Sequence, residues 1–183
     1  IWLNCILESQ ITMSFFDLIE SRHSIRTFED KKLDYNIIEK IASAAMRAAS
    51  AGNLQSYQIF IVTKKEDKVT LANAAHGQDF IVHASVVFVF CADTETATQD
   101  YGKRGQNLYC IQDATIACTY AQLAAHALGL ASVWVGSFDE ESVIEILGLR
   151  PNLRPITMLV VGFAAEEPEI TPRKPMDQMV HKL

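Results

Sequence analysis

The 183-residue sequence has little cysteine and no long apolar run. Its four cysteines, at positions 5, 91, 110 and 118, form no CxxC pair, and three lie in apolar segments where a free thiol packs as a small hydrophobe. The longest apolar stretch, residues 81–92, is interrupted by His83 and is far shorter than the ~20 residues of a membrane-spanning helix. We therefore expect a cytoplasmic protein that does not cross a membrane.

The sequence is also short of positive charge and of catalytic signatures. Lysine and arginine total 16 against 22 aspartates and glutamates, which gives a net charge of -6, so we expect no nucleic-acid partner. HExxH, GxSxG, GxGxxG and a Walker lysine are missing, and no two of the five histidines stand four residues apart. We therefore expect no protein-bound metal, no serine hydrolase site and no Rossmann module, and we interpret His126 as a hydrogen-bonded core histidine.

What is present is an alternation of helical and strand patterns. Apolar periodicity predicts helices near residues 14–20, 34–49, 66–75, 111–128 and 139–147. Runs of β-branched and aromatic residues predict strands at 57–63, 85–91, 132–138 and 156–163. This alternation by itself favours a parallel α/β sheet.

The domain organisation is predicted to be simple. Residues 1–12 precede Met13-Ser14, which looks like a natural start, so we interpret them as a vector-derived or upstream leader. Residues 13–183 contain no repeat or linker and are predicted to form a single domain. The polar tail, residues 166–183, has little apolar content of its own and is expected to lie on another part of the protein.

Cationic side chains are concentrated near both ends of the chain. Arg22 and Arg26 stand four residues apart, with an imidazole and a hydroxyl between them, a donor set that suits a phosphate monoester. A second basic pair at 173–174 lies in the tail and can fold back to the same anion. Composition alone leaves open that all of these are solvated surface cations. That is what we expect for three other basic pairs, Lys31-Lys32, Lys64-Lys65 and Lys103-Arg104.

An ordered set of segments resembles the FMN-dependent nitroreductase family. Residues 22–28 read RHSIRTF, and residues 49–57 read ASAGNLQSY, where the family usually has Pro and Trp at the positions of Ser56 and Tyr57. Further matches are Asp113 with its helix, GLASVWVGSF at 129–138, VGF at 161–163 and PRKP at 172–175. Each match is weak, but their common order along the chain makes the set specific.

The resemblance implies a different fold from the one that alternation favours. It implies an α+β fold, a three-layer α-β-α sandwich with a mixed, mostly antiparallel central sheet. It further implies an intertwined homodimer with two FMN sites at the interface, and NADH or NADPH as electron donor. No catalytic side chain is implied, because hydride chemistry belongs to flavin N5.

The resemblance also implies which residues bind FMN. The N-terminal part of a phosphate clamp, which also reaches the pyrimidine edge, matches Arg22, His23, Ser24 and Arg26, with His23 contributing mainly main-chain contact. Its C-terminal part matches Arg173 and Lys174. Residues offered by the other subunit match Ser50 and Asn53. Positions near the flavin ring match Gln78 and the turn Val135, Gly136 and Ser137, whose main chain approaches N5.

We therefore expect an FMN-dependent NAD(P)H oxidoreductase that reduces nitroaromatics, quinones or similar electron-poor acceptors by a ping-pong hydride mechanism. Two alternatives stay open. One is the same fold with a specialised reaction, such as reductive dehalogenation, and the other is a flavin-binding module without turnover. The substrate face is expected within residues 94–109, where Tyr101 and Tyr109 either line the site or pack.

Overall fold

The computed structural model describes residues 14–183, so the expected leader and Cys5 lie outside the described residues. The helices are α1 (Phe15–Ser21), α2 (Tyr35–Ala45), α3 (Lys65–Ala74), α4 (Phe80–His83), α5 (Thr94–Arg104), α6 (Cys110–Ala127) and α7 (Glu140–Leu147). The strands are β1 (Tyr57–Val62), β2 (Val86–Asp93), β3 (Ala131–Val135) and β4 (Leu153–Gly162). Each predicted helix and strand is present within a few residues of its expected position.

The four strands form one sheet in the order β1-β2-β4-β3, and every pair of neighbours is antiparallel. A single parallel bridge joins Ser24 to Ser132 at the start of β3. The parallel sheet favoured by alternation is therefore wrong, and the mostly antiparallel sheet of the resemblance is confirmed. Alternation misled because the helical connections between β1 and β2, and between β3 and β4, return the chain to the sheet end that it left.

Helices cover both faces of the sheet, which gives three layers. The side chains of β2 alternate between two cores, as the two-residue period of a strand requires. Val86, Phe88 and Phe90 pack in one core with residues of α2 and α6. Val87 and Val89 pack in the other core with residues of α3, α4 and α7. The predicted three-layer sandwich is confirmed.

Helix α6 is rich in small residues, a pattern that predicts burial on more than one side. Its alanines at 114, 117, 121 and 125 are fully buried against the sheet layer. On another side, however, Ile116 and Tyr120 are 36% and 42% exposed. One chain therefore covers only part of this helix.

The start of the C-terminal tail is attached to the N-terminal segment. The backbone N–H of Ala165 donates to the carbonyl of Thr27 at 2.9 Å, and Phe28 forms a bridge with Ala164. Beyond this point, residues 166–183 are exposed. Within residues 14–183, no helix is both long enough and apolar enough to span a membrane.

Candidate functional site

The N-terminal arginines lie on an extended segment that runs from the end of α1 to the edge of the sheet. The backbone of Ile25 donates to the carbonyl of Ser132 at 3.1 Å, and the side chains of Ile25 and Phe28 are buried. These two apolar anchors fix the segment. Arg22 is left half-buried and Arg26 is left exposed.

The tail brings Arg173 to the same place. A cavity of about 220 Å³, which we call the clamp cavity, lies between the two ends of the chain. Its lining is Arg22, His23, Ser24, Arg26, Glu169, Thr171 and Arg173. Five predicted site residues therefore share one small cavity, whereas Lys174 is exposed and does not line it.

The clamp cavity is electrostatically unbalanced. Burial, and then the positive charge of Arg173, lowers the pKa of Arg22 below its ordinary value. Within residues 14–183, the one ion pair joins Arg154 to Glu140. Neither Arg22 nor Arg173 therefore has a carboxylate oxygen of these residues within 4.0 Å. Glu169 also lines the cavity but forms no ion pair with Arg22 or Arg173. The two neighbouring guanidinium groups therefore form a donor set that fits a phosphate group.

Sequence reasoning missed the role of Glu166. Its carboxylate accepts the backbone N–H of Arg26 at 2.5 Å and of Thr27 at 3.1 Å, and the Thr27 hydroxyl at 2.8 Å. These hydrogen bonds, with that of Arg26 first, lower the pKa of Glu166. Glu166 therefore ties the tail to the segment that carries Arg26. No sequence signal marks it, because its partners are 139 and 140 residues away.

The segment containing Ser50 and Asn53 is a tight loop after α2. Gly52, Asn53 and Gln55 all have positive φ, at 56°, 59° and 51°. The Ser50 hydroxyl oxygen accepts the backbone N–H of Gln55 at 3.0 Å and so closes the loop. Leu54 lies between them and is half-buried. Ser50 and Asn53 thus sit on a fixed turn, with Asn53 exposed.

Asp113 anchors this loop to helix α6. It is 2% exposed, and its carboxylate accepts the backbone N–H of Ala51 at 3.0 Å. It also accepts the backbone N–H and the hydroxyl of Ser56, at 3.3 Å and 2.6 Å. Its signal in the sequence is plain in retrospect, since it is a lone acidic residue in the apolar helix α6.

The open question about Tyr101 and Tyr109 has a structural answer. A Cβ at Gly52 would lie 2.5 Å from the Tyr101 hydroxyl oxygen, so Tyr101 rests directly on the loop. The rings of Tyr101 and Tyr109 meet edge to face at 5.1 Å. Tyr109 also lines a cavity of about 490 Å³ together with Ser50 and Ile116. Both tyrosines therefore lie beside the predicted flavin-contacting loop.

The remaining predicted residues meet at the end of β3. The side-chain amide of Gln78 donates to the carbonyl of Ser137 at 3.3 Å, and to that of Ala75 at 2.9 Å. Val135 is buried, whereas Gly136 and Ser137 are exposed. A Cβ at Gly136 would make only ordinary contact with Trp134, at 3.6 Å, so one chain by itself does not require glycine there.

The predicted residues therefore form three groups in one chain. The clamp residues, Ser50 and Gly136 line three separate cavities. His126 lies outside all three groups; its Nε2 is 2.9 Å from the Ser21 hydroxyl, as expected for a hydrogen-bonded histidine.

Comparison with known proteins identifies the family. The family model described as "Nitroreductase family" matches residues 19–78 and 75–163 of this chain. The chain belongs to the nitroreductase family. The resemblance found in the sequence is thereby confirmed, and its matched segments extend over most of the described chain.

Two curated relatives are 31% identical to this nitroreductase-family chain. One, from Archaeoglobus fulgidus, is provisionally named NADH dehydrogenase/NAD(P)H nitroreductase; its match includes 82% of this chain and 85% of the relative. The other is the oxygen-insensitive NADPH nitroreductase of Salmonella typhimurium; its match includes 91% of this chain and 72% of the relative. Among solved structures, the NADPH:FMN oxidoreductase from Vibrio harveyi complexed with NAD+ has a TM-score of 0.84 at 28% identity, over 91% of this chain and 76% of that chain.

Proposed function

We propose that this oxidoreductase of the nitroreductase family binds FMN at the interface of a homodimer and uses NADH or NADPH to reduce nitroaromatics, quinones or similar electron-poor acceptors. The observation that carries the proposal is that Arg22 and Arg173, from distant parts of the sequence, line one cavity, and neither forms an ion pair with Glu169, which also lines it. A phosphate monoester is the group that such a pair suits.

The residues of this chain have defined tasks in the proposal. Arg22, Ser24, Arg26 and Arg173 would hold the FMN phosphate and the pyrimidine edge, with the backbone of His23. Hydride transfer at N5 is the chemistry that FMN supplies when bound. The protein then needs no nucleophile or acid-base pair of its own; it has to position the ring and admit planar substrates to one face.

A second copy of the chain completes the proposed site. Ser50 and Asn53 lie on the loop anchored by Asp113, and neither lines the clamp cavity; Ser50 lines a different cavity. Within one chain they therefore do not complete the clamp. Ile116 of α6 lines the same cavity as Ser50. Ile116 and Tyr120 are both exposed and offer an apolar surface for association. We propose that the partner's loop reaches the flavin held by the clamp.

The names of two similar proteins mention the nicotinamide nucleotides that we propose as electron donors. The Salmonella relative is named for NADPH, and the Vibrio structure contains NAD+. The absence of a Rossmann fingerprint favours weak discrimination between the two nucleotides. We also propose a cytoplasmic location, supported by the free and buried thiols of Cys91, Cys110 and Cys118.

The test is reduction followed by reoxidation. The purified protein, loaded with FMN, is reduced anaerobically with NADPH, and nitrofurazone or menadione is then added while flavin absorbance is followed. We expect bleaching by NADPH and recovery of the yellow colour with either acceptor. Reduction without reoxidation would reject the proposed substrates, and FMN binding without reduction would favour a flavin-binding module.

A further inference from the structure

Five lysines line a second cavity, of about 570 Å³, which we call the lysine cavity. They are Lys31, Lys32, Lys64, Lys65 and Lys68. None of the predicted FMN-binding residues lines it, so it is separate from the clamp cavity and its contents do not depend on the proposed function.

The charge of the lysine cavity opposes that of the whole protein. Its lining contains two carboxylates, Asp30 and Glu66, against five lysines, whereas the chain carries a net charge of -6. The sequence led us to expect two pairs of separately solvated surface lysines at 31–32 and 64–65. The fold instead brings both pairs to one concave surface, although α2 and β1 separate them along the chain.

Two of the five lysines are held in place by the protein. Lys68 is 6% exposed, and its ammonium donates to the carbonyl of Ala84 at 2.5 Å. Burial is the main cause that lowers its pKa, and neighbouring Lys65 lowers it further while Asp30 opposes this. The Lys31 ammonium lies 4.1 Å from the centre of the Phe163 ring. Lys32, Lys64 and Lys65 stay exposed around the cavity.

The N-terminus of α3 contributes further hydrogen-bond donors. The helix begins at Lys65 after Lys64, which supplies no side-chain cap, so no side chain of the preceding residue satisfies the first backbone N–H groups. The positive end of the helix dipole points the same way. This terminus borders the lysine cavity, because Lys64, Lys65 and Glu66 all line it. The first turn also carries two carboxylates, those of Glu66 and Asp67.

We propose that the lysine cavity binds a small phosphorylated metabolite. Its phosphate group lies beside Lys64 and Lys65 near the start of α3, where the five lysines of the lining outnumber its two carboxylates, Asp30 and Glu66. Its less polar part lies against Leu33, Ile38 and Val82, which line the same cavity. The volume falls within the range of about 300–1,000 Å³ that is typical of small-molecule sites.

The experiment uses inorganic pyrophosphate as the probe and FMN-loaded protein, so that the clamp is filled. Isothermal titration calorimetry measures binding to the wild type and to the double variant K64Q/K65Q. We expect the dissociation constant for pyrophosphate to rise about tenfold in the variant, with FMN content unchanged. The expected change is no larger because water screens the charges of the exposed Lys64 and Lys65. The matched control is K103Q/K182Q, which removes the same charge at two exposed lysines outside this cavity.

Each outcome decides the proposal. A loss of pyrophosphate binding confined to K64Q/K65Q supports it. No binding to the wild type, or an equal loss in K103Q/K182Q, overturns it. Sedimentation with phosphatidylcholine vesicles containing phosphatidic acid tests a lipid headgroup as the source of phosphate; co-sedimentation that K64Q/K65Q abolishes would overturn a soluble ligand.

Discussion

At the scale of single residues, the proposed phosphate clamp depends on two arginines that the fold brings to one cavity. Arg22 is partly desolvated beside Arg173, and both effects disfavour its charged form. Without an anion, this arrangement has an electrostatic cost that no carboxylate within 4.0 Å offsets in the described residues. The phosphate of the proposed FMN would offset this cost.

Arg22→Ala and Arg173→Ala should each weaken FMN retention with little effect on folding, since both residues face the clamp cavity rather than the core. A charge-assisted hydrogen bond contributes about 1.5–3 kcal/mol, so we expect the FMN dissociation constant to rise roughly tenfold or more. Fluorescence titration of the apoprotein measures it. Arg150→Ala, an exposed arginine outside the clamp, is the control. Wild-type affinity in both clamp variants would contradict the assignment.

His126 makes stability depend on pH. Burial first, and then the charges of Arg22 and His23, lower its pKa below the ordinary value of 6.5. The unfolded chain therefore binds more protons near and below pH 6.5, and this histidine lowers stability as the pH falls through that range.

We expect His126→Gln to reduce the loss of stability between pH 7 and pH 5. Glutamine can keep a hydrogen bond to Ser21 without taking up a proton. Urea unfolding at both pH values measures the difference, and His83→Gln, at an exposed histidine, is the control. The same pH dependence in all three proteins would exclude His126 as a source.

At the scale of elements, the decisive contact is between α6 and the loop after α2. Three residues of positive φ, Gly52, Asn53 and Gln55, make the loop tight, and Asp113 satisfies the backbone N–H groups of Ala51 and Ser56. The loop that carries Ser50 and Asn53 is therefore positioned by a residue that does not itself belong to the predicted flavin contacts.

Asp113→Asn should destabilise the fold by about 1–3 kcal/mol and also weaken FMN binding. The new amide group has to face one of the N–H or hydroxyl donors that the carboxylate accepts. Asp100→Asn, at an exposed position of α5, is the control. Chemical unfolding and FMN titration together test the positioning role: loss of stability with unchanged FMN affinity would show that Asp113 is only structural.

At the scale of the whole molecule, one chain leaves apolar surface uncovered. Phe15 and Phe16 of α1 are 61% and 74% exposed, and Ile116 and Tyr120 of α6 are also exposed. Surface of this kind marks association sites. The proposed homodimer would cover it and bring the loop of one chain to the clamp of the other.

Ile116→Asp should weaken the dimer and lower FMN content together, because a carboxylate in an apolar interface is poorly solvated. Val69→Asp is a matched control, since Val69 is 40% exposed, close to the 36% of Ile116, but lies on α3 in the opposite layer. Size-exclusion chromatography with light scattering measures the mass. A monomeric wild type that retains FMN would contradict the proposed interface.

Much of the fold could be predicted because its signals are local. The apolar run of β2 and the small residues of α6 mark their elements by period and composition alone. Asp34 was expected to begin α2, and its carboxylate accepts the backbone N–H of Asn36 at 2.8 Å. Strand direction was the exception, since it depends on how each connection crosses the sheet.

The sequence by itself determined the elements and the two basic segments near its ends, because the signals for these lie in neighbouring residues. It also determined the family, through the order of the matched segments along the chain. Only the tertiary structure decided that Arg173 lies beside Arg22 and that Glu166 holds the segment of Arg26. The tertiary structure also brings Lys31-Lys32 and Lys64-Lys65 to one cavity, although each pair was expected to be a solvated surface pair of its own. The physical reason is that charge acts through space, so its effect is set by distances between side chains that only the folded sheet and its helical layers define.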